Sequence, residues 1–255
     1  MSKTVDLNAD MGESFGAWTM GNDADLLQIV TSANIACGFH AGDPDVMADT
    51  MALAVKNGVG IGAHPGFPDL RGFGRYRMQI PYEQLANAVR YQVSAAQGMA
   101  RIAGGHMRHV KLHGALGNMT SEDEEMAKVC YAAALDVDPD LYVMVMAGTA
   151  QQRAVEALGS NFAAEIFADR AYNDDATLVD RRLKGAVIHD AQLAATRMVD
   201  MVQAGAILTA SGKRIETRID TICMHGDTPE AVDIAREVRR ALEAAGIMAK
   251  AFPHD

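Results

Sequence analysis

The sequence predicts an α/β protein: one (β/α) barrel of TIM type, with seven or so strands, spanning residues 1–255 as a single domain. Three observations lead there. Short apolar runs of β type alternate with longer runs of helical period along the whole chain. No Pro/Ser-rich linker, charge run or internal repeat divides it. Nearly every candidate strand also ends in a cluster of polar residues. A closed parallel barrel collects such clusters on one rim, whereas an open doubly wound sheet gathers only those near its switch point.

The first strand is expected over Thr4–Ala9, with Asp6, Asn8, Asp10 and Glu13 grouped at its end. Ala33–Cys37 is next, followed by His40 and Asp43, and then Val59–Ala63, followed by His64. His109–Leu112 carries Lys111 and leads into His113. Tyr142–Ala147 and Ala164–Ala168 follow, the latter ending in Asp169 and Arg170. Thr221–Met224 precedes His225 and Asp227, and Ile247–Phe252 is a candidate last strand. Most of these runs are apolar on both faces, as buried parallel strands must be. The helices between them are marked by caps. Asp43-Pro44 and Thr228-Pro229 place a capping side chain before a proline at the first helical position. Ser121 with Glu124 reads as a capping box for a helix running to about Leu135, and His189-Asp190 as another helix start. In the last helix Ala231, Ile234, Ala235, Val238, Ala241, Leu242 and Ala245 form one apolar stripe, which Gly246 ends.

Composition narrows the function. With 33 acidic against 23 basic residues and a net charge of −10, the chain lacks the basic surface that grips nucleic acid. Its apolar runs are shorter than the roughly 20 residues that span a bilayer, and its first residues lack a signal-peptide layout, so a cytoplasmic protein with no membrane association is expected. Cys37, Cys130 and Cys223 are widely spaced and read as reduced thiols. The sixteen methionines read as adaptable core filler.

A single histidine at a strand end commonly satisfies a backbone group, and Asp43 is a cap before it is a ligand. Recurrence at five or six strand ends is different, because buried Asp, Lys and His are costly without partners, so a polar pocket is expected. Of the eight histidines, His40, His64, His113 and His225 fall in it. His106 and His109, flanking Met107-Arg108, read as a solvated turn, and His254 as a terminal residue. The glycine-rich stretches 37–43 and 62–75 allow the backbone to approach a ligand. Arg71, Arg75 and Arg77 in and after the second suit a carboxylate or a phosphate. Neither stretch is a phosphate loop of Gly-x-x-x-x-Gly-Lys-Ser/Thr type, and Ser211-Gly212-Lys213 lacks the upstream glycine.

Several motifs, in order along the chain, carry a family resemblance. They are Asp6-Leu7-Asn8-Ala9-Asp10-Met11-Gly12-Glu13-Ser14-Phe15-Gly16, Ala33-Asn34-Ile35-Ala36-Cys37-Gly38-Phe39-His40-Ala41-Gly42-Asp43-Pro44, Gly62-Ala63-His64-Pro65, Lys111-Leu112-His113-Gly114-Ala115-Leu116, Glu165-Ile166-Phe167-Ala168-Asp169-Arg170-Ala171-Tyr172 and His225-Gly226-Asp227. From Thr4 to about Pro253 the chain resembles the LamB/YcsF family. The resemblance implies a barrel related to the carbohydrate deacetylases. It also implies the role of the A subunit in a multi-subunit 5-oxoprolinase, which opens 5-oxo-L-proline to L-glutamate with ATP, together with subunits B and C. Leu112, Gly117, Tyr76 and Asp180 depart from the usual family wording, where proline, tyrosine, arginine and proline are common. These changes leave the polar groups in place and bear on substrate contact.

An unstrained lactam has a poor electrophile and a poor leaving group, and phosphorylation of its oxygen by ATP, with Mg, turns it into an activated imidate. Such a site needs a cation, a base for water and an acid for nitrogen. Lys111 is the candidate cation with His113 beside it, Asp10 and Glu13 are the candidate bases, and Asp227 joins the catalytic set. Asn8, His40, His64, Arg75, Asp169, Arg170 and His225 are the candidate substrate-binding residues. Two alternatives compete. In one, Asp10, His40, His64 and His225 hold a divalent metal ion that hydrolyses an amide without ATP. In the other, the rim only binds lactam for a partner's active site. Assembly into a homo-oligomer is left open.

Overall fold

A computed structural model describes residues 3–224 and 231–252. The chain opens with β1 (Thr4–Met11), a short α1 (Asp23–Leu26) and β2 (Ser32–Ala36). Next come α2 (Pro44–Asn57), β3 (Gly60–His64), α3 (Tyr82–Ile102) and β4 (Met107–Lys111). Two helices then run in series, α4 (Gly114–Glu122) and α5 (Glu124–Leu135), before β5 (Tyr142–Met146), α6 (Ala150–Leu158) and β6 (Phe162–Phe167). The last third holds α7 (Ala191–Ala204), the hairpin of β7 (Ala206–Leu208) and β8 (Arg214–Glu216), β9 (Thr221–Met224), α8 (Ala231–Ala244) and β10 (Met248–Ala249).

Strands β1 to β6 and β9 are parallel neighbours in that order, and β9 pairs back to β1 through Asp6↔Thr221 and Ala9↔Met224. The ring therefore closes at seven strands, with helices outside it. The expected last strand at Ile247–Phe252 shrinks to β10, which pairs only with Thr4 and Val5 beside the ring. Phe252 goes elsewhere, packing against Met144 and Ala163 and lying 5.4 Å from the rings of His109 and Tyr142. The β7–β8 hairpin has no counterpart in the sequence reading.

Period-two alternation explains the interior. Along β1, Val5, Leu7, Ala9 and Met11 join the apolar core, whereas Asp6, Asn8 and Asp10 bond across the ring to residues of other strands. A TIM barrel usually fills this space with branched apolar side chains. This one fills it with a hydrogen-bonded column. At the lower end Asp6 accepts hydrogen bonds from the Thr31, Ser32 and Thr221 hydroxyls. Above it Asn8 donates to Glu165 Oε1 at 3.0 Å and Thr221 Oγ1 at 2.7 Å, and Asn34 donates to Asn8 Oδ1 at 2.7 Å and Asp10 Oδ1 at 2.9 Å. His109 Nε2 donates to Asn34 Oδ1 at 2.8 Å. These groups are buried, and each bond offsets a desolvation cost.

The caps divide. Asp43 accepts from the N–H groups of Asp45 and Val46 and starts α2, and Asp190 accepts from Leu193 N–H and starts α7. Ser121 does not cap α5. Its hydroxyl donates to Asn118 within α4, and Asp123 caps α5 by accepting from Met126 N–H. Thr228-Pro229 lies outside the described residues. Among the described residues no helix is long and apolar enough to cross a membrane, and all three cysteines are free and buried.

Candidate active site

At the carboxyl ends of the strands lies a cavity of about 750 Å³. Asp10, Glu13, His64, Lys111, His113 and Arg170 line it, so six of the residues expected from strand-end clusters meet on one rim, joined by Arg75 from the glycine-rich stretch. Asn8 lies below, fully buried in the column, where it bonds rather than lines. His40 packs behind His113, their rings parallel with centroids 3.6 Å apart. Asp169 is buried off the cavity wall. His225 and Asp227 lie outside the described residues. Arg71 lies on the exposed surface off the wall, whereas Arg77 lines the mouth in an exposed pair with Glu122.

Lys111 is the centre of charge on the floor. Its Nζ lies 2.9 Å from Asp10 Oδ1, 2.9 Å from Glu165 Oε1, 3.3 Å from Asn8 Oδ1 and 3.0 Å from Cys223 Sγ. Burial disfavours the ammonium, but Asp10, the Cys223 sulfur and Glu165 outweigh it and raise its pKa well above the usual lysine range. A fixed cation results, held by two carboxylates and open to the cavity. Sequence reasoning missed Glu165 as a functional residue. The available signal was a lone carboxylate inside the apolar run Phe162–Phe167.

A histidine cluster stands beside this cation. His64 Nε2 lies 3.3 Å from Asp10 Oδ2 and 3.0 Å from His113 Nδ1. His64 Nδ1 reaches the Lys111 carbonyl at 2.8 Å, and His113 Nε2 reaches the Phe73 carbonyl at 2.8 Å. Glu13 Oε1 lies 3.6 Å from both His40 Nε2 and His113 Nδ1. Burial, followed by the neighbouring histidines, lowers the pKa of His40 and His113 well below the usual histidine value. The glycine-rich loop serves this cluster. A Cβ on Gly74 would stand 2.7 Å from His113 Cδ2 and His40 Cβ, so the loop backbone packs directly against the two rings. Glu13, His40, His64 and His113 thus present four donors of metal-binding type, all within 4.8 Å of one another. Of the expected ligand set, His40 and His64 belong to this cluster, Asp10 pairs with Lys111 and stands 3.3 Å from His64, and His225 lies outside the described residues.

His109 overturns its reading as a solvated turn. It is fully buried in β4, and burial, then Lys111, push its pKa down to about 3. Around the mouth stand Arg75, Arg77, Arg170, Arg181 and Arg182, with Arg75 over the Phe73 ring and Arg170 bonded to the Val179 carbonyl. Asp180 accepts a hydrogen bond from Arg182 at the lip. Arginines therefore stand around the entrance of a net acidic chain, two of them paired with Glu122 and Asp180 at the same mouth.

A closed seven-stranded parallel barrel with its cavity at the carboxyl ends of the strands is a TIM-like barrel of the kind found in carbohydrate deacetylases. The catalytic domain of a peptidoglycan N-acetylglucosamine deacetylase from Eubacterium rectale shares it with a TM-score of 0.52 at 11% identity, over 100% of this chain and 90% of that one. That likeness is one of fold alone. The chain itself belongs to the LamB/YcsF family, whose sequence profile matches residues 5–254. It is 67% identical over 248 residues to the A subunit of 5-oxoprolinase from Ruegeria pomeroyi, covering 97% of this chain and 98% of that protein. It is 54% identical to the A subunit of 5-oxoprolinase from Gluconobacter oxydans, over 98% and 99% of the two. The crystal structure of the lactam utilization protein from Thermus thermophilus superposes with a TM-score of 0.92 at 40% identity, covering 98% of this chain and 100% of that one.

Proposed function

We propose that the chain is the lactam-opening A subunit of a multi-subunit 5-oxoprolinase, which converts 5-oxo-L-proline to L-glutamate at the barrel cavity with ATP, complexed with Mg²⁺, consumed by the assembled enzyme. The observation that carries this reading is the Lys111 ammonium, fixed between Asp10 and Glu165 on the floor of a cavity with an arginine mouth. The very high similarity to proteins named as the A subunit of 5-oxoprolinase supports it. That name also supports a complex, with subunits B and C as partners.

The arginine mouth supplies cations for the substrate carboxylate, Arg75 and Arg170 being the groups placed to receive it. Transfer of the γ-phosphoryl group of ATP to the lactam oxygen gives ADP and an imidate whose carbon is open to attack. Water then adds to that carbon while Asp10 accepts its proton, and Lys111 stabilises the negative charge developing on oxygen. His64, 3.3 Å from Asp10, relays the proton to the ring nitrogen. The C–N bond then breaks to give a free amine and an acyl phosphate, and a second water hydrolyses the acyl phosphate to the carboxylate and inorganic phosphate. Glu13 places negative charge 3.6 Å from the His40 and His113 rings.

The test supplies the chain alone, and then with subunits B and C, and measures glutamate and ADP formed from 5-oxo-L-proline. Turnover is expected only with ATP and all three polypeptides present. Lys111→Ala and Asp10→Asn are each expected to lower it by about 10²–10³-fold, with the far-ultraviolet circular dichroism unchanged. Glutamate release by the chain alone without ATP, or full turnover in both variants, overturns the proposal.

A further inference from the structure

Tautomers on the cavity wall leave a gap that a cation fits. A carbonyl oxygen only accepts hydrogen bonds, so His64 Nδ1 must donate to the Lys111 carbonyl and His113 Nε2 to the Phe73 carbonyl. Each neutral ring then has its lone pair on the other nitrogen. Those two nitrogens, His64 Nε2 and His113 Nδ1, face each other at 3.0 Å. Two lone pairs at that separation repel unless something positive lies between or beside them.

The surroundings bring more donors of electrons. Glu13 Oε1 lies 3.6 Å from His113 Nδ1, and Asp10 Oδ2 lies 3.3 Å from His64 Nε2. His40 is 1% exposed, and neither of its ring nitrogens makes a hydrogen bond, although Nε2 lies 3.6 Å from Glu13 Oε1. A buried imidazole with both nitrogens unbonded is costly. Either a shared proton or a metal ion answers this arrangement, and the arrangement favours the ion. One proton relieves the His64–His113 contact and leaves His40 unbonded. A metal ion engages all three rings. Two nitrogens that bind one tetrahedral ion at about 2.1 Å stand about 3.4 Å apart, a few tenths of an ångström more than the 3.0 Å between His64 Nε2 and His113 Nδ1.

We propose that Glu13, His40, His64 and His113 form a binding site for one divalent transition-metal ion on the cavity wall. Three imidazoles and one carboxylate select a borderline ion such as Zn²⁺ over the oxygen-seeking Mg²⁺. Glu13, His64 and His113 line the cavity, which gives the ion its way in. The outer carbonyls of Lys111 and Phe73 orient two of the ligands and fix their tautomers. A bound ion supplies Lewis acidity within reach of Asp10 and Lys111. The site shares the cavity of the proposed lactam chemistry but does not rest on it. Ion binding is read on the chain alone without lactam or ATP, so the two proposals fail separately.

The experiment strips the purified full chain with a chelator and titrates it with Zn²⁺, Mn²⁺ and Mg²⁺. Calorimetry and competition against a chromophoric chelator give affinity and stoichiometry, and Co²⁺ absorption in the visible reports nitrogen ligation. One Zn²⁺ per chain is expected, bound far more tightly than Mg²⁺, with Co²⁺ bands to match. Glu13→Gln and His113→Asn are each expected to weaken Zn²⁺ binding by about 100-fold or more, while Arg240→Ala on the outer helix α8 binds as the unaltered chain does. Circular dichroism checks that each variant is folded. Should one variant fail to fold, the other and the Co²⁺ spectrum of the unaltered chain still decide. No bound transition metal in the unaltered chain, or undiminished binding in the folded variants, overturns the proposal and leaves a proton between the two nitrogens.

Discussion

Single residues in this barrel are defined by what crosses the interior to meet them. Gly62 of β3 faces His109 of β4, and a Cβ at position 62 would overlap the imidazole ring. Glycine is needed there because a buried ring occupies the space that any side chain would take. Gly62→Ala is therefore expected to destabilise the fold by about 2–3 kcal/mol through overpacking. Urea unfolding of the variant checks this, and an unchanged midpoint would show that the column can yield. The polar residues at the strand ends were legible because buried charge without partners is improbable, and Asp10, Glu13, His64, Lys111 and His113 do meet. Glu165 and His109 were not legible. A strand pattern records which faces are covered, but a polar residue that faces a polar barrel interior leaves the same trace as one that faces solvent.

Elements were legible wherever a strand was apolar on both faces or a helix carried a strong cap. Asp43 and Asp190 start helices as read, and Ala231, Ile234, Ala235, Val238 and Leu242 form the buried stripe of α8. The capping box at Ser121 failed for a local reason. Two helices follow one another there, so Ser121 sits in the last turn of α4 and Asp123 takes over as the cap of α5. Asp123→Ala is expected to cost about 1 kcal/mol, and Ser121→Ala only a few tenths. Chemical denaturation of both variants checks the ranking, and a larger loss for Ser121→Ala would restore Ser121 as the cap. The β7–β8 hairpin escaped because two strands of three residues, one of them partly exposed, are too short for a period-two signal.

Across the molecule, an acidic surface encloses a buried column and a cluster rich in histidine, and this sets how the protein responds to acid. His109 has its pKa lowered to about 3 from 6.5, with burial as the main cause. In the unfolded chain it takes up a proton as the pH falls through 6.5, while in the folded chain it stays neutral. The unfolded state therefore binds more protons, and stability is lost as the pH falls from about 6.5 toward 3. Between about pH 7 and pH 5 this residue alone costs about 2 kcal/mol, and His40 and His113 act in the same direction. Urea midpoints at the two pH values check the loss, which His109→Gln is expected to reduce. Equal midpoints in the unaltered chain would refute it. The barrel was legible at this scale because one rim accounts for clusters far apart in sequence, yet no strand pattern announced that its centre is hydrogen-bonded rather than apolar. Closure by β9 against β1 has a consequence for synthesis on the ribosome. Asn8 is made early, but its partners Glu165 and Thr221 are 157 and 213 residues away. Until they emerge, the nascent sheet has two raw edges and a row of polar groups that only water can satisfy. The ring therefore cannot close until Thr221 and the rest of β9 have left the exit tunnel.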